Sequence, residues 1–267
     1  MSTVYLGQGE DRETFIRTVF QRLRIQDKVT GKQVLLKPNI VSHEPYRTTT
    51  HPKTLETCIR LVLPGAKRVI VADGAVWDAG DSPTIIEKHP LKQTCDKFGV
   101  TICDLFVHGT KQVKTPTFEL EISPMAFECD FIISLPVLKS HFICGLTGAL
   151  KNHIGFLSFA EKNRLHWKLD VDNVIAELNQ VIKPDLYIVD AVQTLINTNE
   201  VRHGGKPRTL GYMLAGTDPV SLDVAGLELL KKVEPKLKNK KFDDIPHLRY
   251  AVNLGIGEPQ YQFIELS

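Results

Sequence analysis

Residues 130–155 read DFIISLPVLKSHFICGLTGALKNHIG, and within 139–153 the chain places Lys139, His141, Lys151 and His153 with no acid among them. Cations beside glycines are suited to holding an anion. Gly145 and Gly148 let the backbone come close, and N–H groups at the start of a helix point at a bound carboxylate or phosphate. The expected pocket gathers Lys139, His141, Lys151 and Asn152 after the strand that ends near Pro136. Lys37 and Asn39 in LLKPN, Asp73 in VIVADG and Asp190 in LYIVD also follow apolar β runs. Lys37, Lys139 and Lys151 are the candidate charges for the anion, with Asn39 and Asn152 as neutral partners. His141 is the first candidate general acid or base, since the neighbouring Lys139 cation keeps an imidazole neutral at pH 7. Asp190 is the candidate that orients a histidine or balances a lysine, and His51 is a weaker acid–base candidate.

Other chemistries fit less well. His141, His153 and His166 fall within 26 residues and three imidazoles can hold a zinc-like ion, but the spacing does not bring them together and no metal is assigned. GLTGALKN is not a Walker A motif, because Gly145 and Gly148 are too close and Asn152 follows Lys151. G-x-G-x-x-G and G-x-S-x-G are absent. Cys58, Cys95, Cys103, Cys129 and Cys144 are isolated in sequence, which predicts reduced thiols and no intrinsic iron–sulfur cluster. Asp218, before Pro219, reads as a helix cap, and Asp223, one turn on, faces either the pocket or a neighbouring helix. RHGGK at 202–206 is either a loop over the site or an ordinary exposed connection.

The elements that must position these residues alternate. Apolar β runs lie at 4–6, 33–36, 68–72, 100–106, 131–135, 186–189 and 210–215. Helical periodicity covers 11–25, 52–63, 83–98 with a break at Pro90, 172–182, 220–232 and 245–252. Residues 117–122 alternate and read as an antiparallel arm. The pattern predicts an α/β fold: a mostly parallel open sheet, helices on both faces and a short antiparallel addition. In such sheets ligands gather at the carboxyl ends of strands, so Lys37, Asp73, Lys139 and Asp190 are expected along one edge.

The 267 residues suffice for one large α/β domain or two tightly joined lobes. Net charge is +2, from 33 basic and 31 acidic residues, which argues against a nucleic-acid-coating surface. No apolar run approaches the roughly 20 residues that span a bilayer, and the N-terminus lacks signal-peptide character. The expected setting is the cytoplasm, with no membrane partner and no identified protein partner.

In order along residues 34–226, LLKPNIVS with TTTHP, VIVADG, IISLPVLKSH, GLTGALKNHIG, IKPDLYIVDAV and LAGTDPVSLDVA resemble the DUF362 family of uncharacterised proteins. The resemblance implies an α/β fold and a shared polar site built from these motifs. It supplies no established reaction and no cofactor. The ferredoxin-like segment of some relatives is missing. The expected function is binding of a small carboxylate or phosphate in a cationic cleft, followed by acid–base chemistry. The alternative is a non-catalytic ligand-binding or cofactor/metallocentre-maturation module.

Overall fold

The structure, a computed structural model, describes residues 1–266, with the side chain of His166 outside the described set. Its strands are β1 (Ser2–Gln8), β2 (Gln33–Pro38), β3 (Arg68–Asp73), β4 (Thr101–Asp104), β5 (Lys111–Lys114), β6 (Glu119–Ile122), β7 (Phe131–Leu135), β8 (Lys139–His141), β9 (Gly145–Thr147), β10 (Leu186–Ile196), β11 (Lys206–Gly216) and β12 (Tyr261–Leu266). Eight of them form one sheet in the order β12-β1-β11-β10-β7-β2-β3-β4. Strands β10, β7, β2, β3 and β4 are parallel neighbours, and only β11 runs against its partners. Residues 111–122 form the antiparallel arm as a hairpin of β5 and β6, and a second hairpin joins β8 to β9.

The apolar runs in the centre are buried on both faces, as parallel strands covered by helices must be. Leu36, Val71, Ile133 and Ile188 pack with helices Arg12–Leu23 and Pro52–Val62 on one face. Leu35, Ile70 and Ile132 pack on the other, against helix Val171–Val181. Tyr187, Val189 and Leu214 continue that second face beneath helix Pro219–Leu230. The helix break at Pro90 is present between Ser82–Lys88 and Leu91–Asp96.

Two elements depart from the sequence pattern. The run 186–189 does not end at Asp190. It continues through Asp190 to Ile196, with a bulge between Ala191 and Gln193. The polar residues there pair with β11, so the ladder extends where side-chain periodicity gives no signal. The terminal strand β12 was not expected. It pairs in parallel with β1 from Ser2–Tyr261 to Gly7–Leu266, and its side chains are only half-buried or exposed.

Candidate functional site

Lys37 and Asp73 end adjacent parallel strands, so their side chains meet at the carboxyl edge. Lys37 Nζ lies 2.7 Å from Asp73 Oδ1, and neither side chain is more than 2% exposed. Asp73 Oδ2 accepts from the Ile40 N–H at 2.5 Å, and Oδ1 accepts from Gly74 N–H at 2.8 Å. Lys37 also reaches Asn152 Oδ1 at 3.4 Å, while Asn152 Nδ2 donates to Ser134 Oγ at 2.9 Å. Ser134 is the cross-strand neighbour of Lys37, so the pairing of β2 with β7 places both under the Lys151–Phe156 turn of 3-10 helix. Gly155 in that turn lies against the pair. A Cβ there would overlap Asp73 Oδ1 and come within 2.6 Å of Lys37 Nζ.

Lys162 is the residue that sequence reasoning missed. It sits in helix Phe159–Trp167, is buried, and its Nζ donates to the carbonyls of Gly74 and Ala75 at 2.9 and 3.0 Å. Burial pushes its ammonium down to about 8, against the opposing pull of the Asp73 charge. Burial also lowers Lys37, while Asp73 opposes the shift. A chamber of about 50 Å³ is lined by Lys37, Lys151, Lys162 and Asn152, and Asp73 is the one carboxylate among its described lining residues. Lys151 is half-buried at its wall. Nothing in FAEKNRLHW marks Lys162 beforehand. Gly155, by contrast, belongs to the same glycine run as Gly145 and Gly148.

Lys139 and Asn39 form a second polar contact behind this chamber. Lys139 is fully buried, and its Nζ donates to Asn39 Oδ1 at 3.0 Å and to the Thr48 carbonyl at 2.5 Å. Asn39 lines the chamber and Lys139 does not. The threonines explain the geometry: Thr50 Oγ1 accepts from Asn39 N–H and donates to Leu135 O, folding the 39–50 loop over the strand ends. Desolvation drives Lys139 down to about 7. It is therefore a buried support for this loop, and not the cleft lysine expected from its sequence.

Asp190 is on the correct edge but the wrong face. Val137 pairs with Asp190, in line with the exit of β7. Alternation along β10 puts Asp190 with Ile188, on the face opposite Leu35 and Lys37. There it binds Arg12 Nε at 2.7 Å, Tyr46 Oη at 2.9 Å and the Val192 N–H at 3.0 Å. Its carboxylate is engaged by this ion pair and Asp190 does not line the chamber. His51 packs edge-on against Tyr46 at 4.7 Å, and its Nδ1 caps helix Pro52–Val62 by accepting from Lys53 N–H.

The glycine run does hold a carboxyl group, but it is the protein's own. Asp223 accepts from the N–H groups of Ala149 at 2.6 Å and Leu150 at 3.0 Å. A Cβ on Gly148 would overlap that carboxylate, and one on Gly145 (φ +77°) would meet Ile245 at 2.8 Å. Neither glycine lines the chamber. Burial raises Asp223 to about 7 although both N–H groups favour its ionised form. Between the ordinary carboxylate range and pH 7 the folded chain therefore holds a proton that the unfolded chain has released. Stability falls as pH rises through that window. Asp223→Asn is expected to remove this component of the slope, whatever its effect on absolute stability. Denaturant titrations at pH 5 and 7 measure it, and an unchanged difference between the two pH values would show that Asp223 does not titrate there.

His153 is buried, its Nδ1 faces the Ala149 and Leu150 carbonyls at 3.3 and 3.1 Å, and burial lowers it to about 3. Its Nε2 has no hydrogen-bond partner among the described residues. His141 Nδ1 instead accepts from the N–H groups of Ile143 and Cys144, each at 3.2 Å, and the side chain of His166 lies outside the described residues. Asp78, Glu200 and His203 do bring ligand atoms within 4.8 Å of one another, but the Arg202 guanidinium already engages both carboxylates at 2.8 and 2.7 Å. The 202–206 segment is thus tied down: Glu44 also accepts from the N–H groups of Val201 and Arg202. The five cysteines are unpaired, and burial pushes Cys95 and Cys144 up to about 12, leaving them as thiols.

Outside the chamber lies a cleft of about 730 Å³ containing His141 and Lys151. The two spaces share Val76, Lys151, Ile154, Lys162 and Asn199. Residues 34–228 match the family described as "Domain of unknown function (DUF362)". The chain belongs to this family. A DUF362 fold is therefore what the motif order resembles and what the sheet displays. A thylakoid-associated protein of Synechocystis sp., sll1697, is 27% identical over 212 residues, covering 75% of this chain and 64% of that relative. The chain thus spans just under two thirds of its relative's length. Among solved structures, the lactate racemase apoprotein of Thermoanaerobacterium thermosaccharolyticum aligns with a TM-score of 0.51 at 15% identity, over 86% of this chain and 57% of that one. A Thermotoga maritima protein aligns with the same TM-score at 16% identity, over 86% of this DUF362 chain and 60% of its own. These likenesses show an α/β fold. Among the described residues no helix is long and apolar enough to cross a membrane.

Proposed function

We propose that the chamber binds a small carboxylate or phosphate and that the protein acts on it by acid–base chemistry. The observation that carries this reading is the imbalance of charge: Lys37, Lys151 and Lys162 line one small space with Asp73 as its one described carboxylate. An anion there would complete the pairing that Asp73 supplies to Lys37 alone. Lys162, pushed down to about 8, exchanges its proton near neutral pH and is the group best matched to proton transfer. His141, on the wall of the adjoining cleft, is the second acid–base candidate. The unpaired cysteines support a cytosolic setting.

Lys151 gives the cleanest test, because it is half-buried and touches both spaces. Lys151→Ala is expected to leave folding intact and weaken acetate and inorganic phosphate binding about tenfold or more, the worth of one charge-assisted contact. Calorimetric titration of both proteins, with circular dichroism as the folding control, measures this. Equal affinities would remove Lys151 from the binding site.

A further inference from the structure

We infer that the ligand is amphipathic, with an anionic head in the lysine chamber and an apolar tail in the adjoining cleft; this rests on the anion-binding reading above. The chamber, at about 50 Å³, has room for a carboxylate- or phosphate-sized group and little more. The space it shares walls with is about 730 Å³, within the range of pockets that enclose whole organic ligands. A ligand of a few heavy atoms would fill the first and leave the second to water.

The cleft walls are suited to hydrocarbon. Leu165, Leu169, Val171, Phe142 and Ile143 are among its lining residues. The last two occupy the tip of the β8–β9 hairpin and are 65% and 51% exposed. Large apolar side chains at a turn are costly to leave in water, and a tail lying between them and Leu169 would cover them. Charge complementarity sets the polarity of the ligand. The cations Lys151 and Lys162 stand where cleft and chamber meet, while the cleft carboxylates Asp78 and Glu200 are both already paired with Arg202. An anion bound head-first therefore meets lysines at its charged end and leucine, valine and phenylalanine along its length.

The test is a calorimetric series on the full chain at pH 7 and fixed salt: acetate, butanoate, hexanoate and octanoate, all below micellar concentrations. Octanamide serves as the uncharged control, and butyl and octyl phosphate as a second head group. Affinity is expected to rise about threefold to fourfold per added methylene until the cleft is filled, the transfer value of one CH₂. Octanamide is expected to bind at least tenfold more weakly than octanoate. The double variant Phe142→Ser, Ile143→Ser alters only exposed side chains and is expected to flatten the rise while leaving acetate affinity unchanged. Acetate binding followed by a flat series would overturn the amphipathic ligand and leave the anion site standing. Octanamide binding as tightly as octanoate would overturn the anionic head of this ligand, and an absence of binding throughout would overturn both readings. A rise seen only with the phosphates would assign the head as phosphate, and one seen only with the carboxylates would assign it as carboxylate; either supports the inference.

Discussion

Asp73→Ala is expected to cost about 3–5 kcal/mol of folding stability, the usual penalty for removing one partner of a buried ion pair. Lys37 would keep its position on β2, fully buried, with only the Pro38 carbonyl and Asn152 Oδ1 as acceptors. The N–H groups of Ile40 and Gly74 would lose the carboxylate that accepts from them. The variant is more informative than a stability loss alone, because the space vacated has the shape and charge environment of a carboxylate site. Acetate should therefore restore part of what was lost. About 1.4 kcal/mol returns when acetate is present at about ten times its dissociation constant. Urea unfolding of Asp73→Ala in matched acetate and chloride reads this directly. The same midpoint in both salts would mean that the lysines do not attract an anion even when their own has been removed.

Lys162→Met is expected to do the reverse, leaving stability within about 1 kcal/mol while reducing acetate affinity about tenfold to more than a hundredfold. The first expectation is a balance: methionine has similar length and removes a charge that burial disfavours, lowered to about 8, and this offsets the loss of the donor to the Gly74 and Ala75 carbonyls. The second follows from the worth of a hydrogen bond to a charged group, roughly 1.5–3 kcal/mol. The sign of the pH dependence follows as well. A lysine whose folded value lies below its unfolded one makes the folded state bind fewer protons between about pH 8 and 10, so its contribution to stability rises with pH over that range. Anion binding needs the charged form and weakens over the same range. Stability and affinity should therefore move in opposite directions above pH 8 in the wild type, and Lys162→Met should lose the Lys162 contribution to both trends.

Much of this arrangement was legible in the sequence at the level of edges. The apolar runs before Lys37, Asp73 and Pro136 specify parallel strands whose carboxyl ends converge, and the structure brings Lys37, Asp73, Asn152 and Lys151 to one chamber there. What the runs do not specify is the face. Asp190 follows an apolar run as Lys37 does, yet relative parity between β10 and β2 depends on registers set by β7 between them. The registers present turn Asp190 to the face where Arg12 lies. The glycine run shows a similar limit. Close backbone approach and helix-start N–H groups are present as read, but a carboxylate 74 residues downstream of Ala149 occupies them. Lys162 was invisible for a third reason: a lysine in a polar helix carries no sign of burial until the helix is docked, and it is docking against the Gly74 and Ala75 carbonyls that strips its water.

The most direct measurement is calorimetric titration of the wild-type protein with acetate, whose own charge is constant, from pH 6.5 to 10. Saturable binding of one acetate per chain is expected, with affinity falling about tenfold per pH unit once the Lys162 ammonium begins to lose its proton near pH 8. Saturable binding whose affinity does not change across that range, or no saturable binding at any pH, would contradict the claim that the lysine chamber is an anion site.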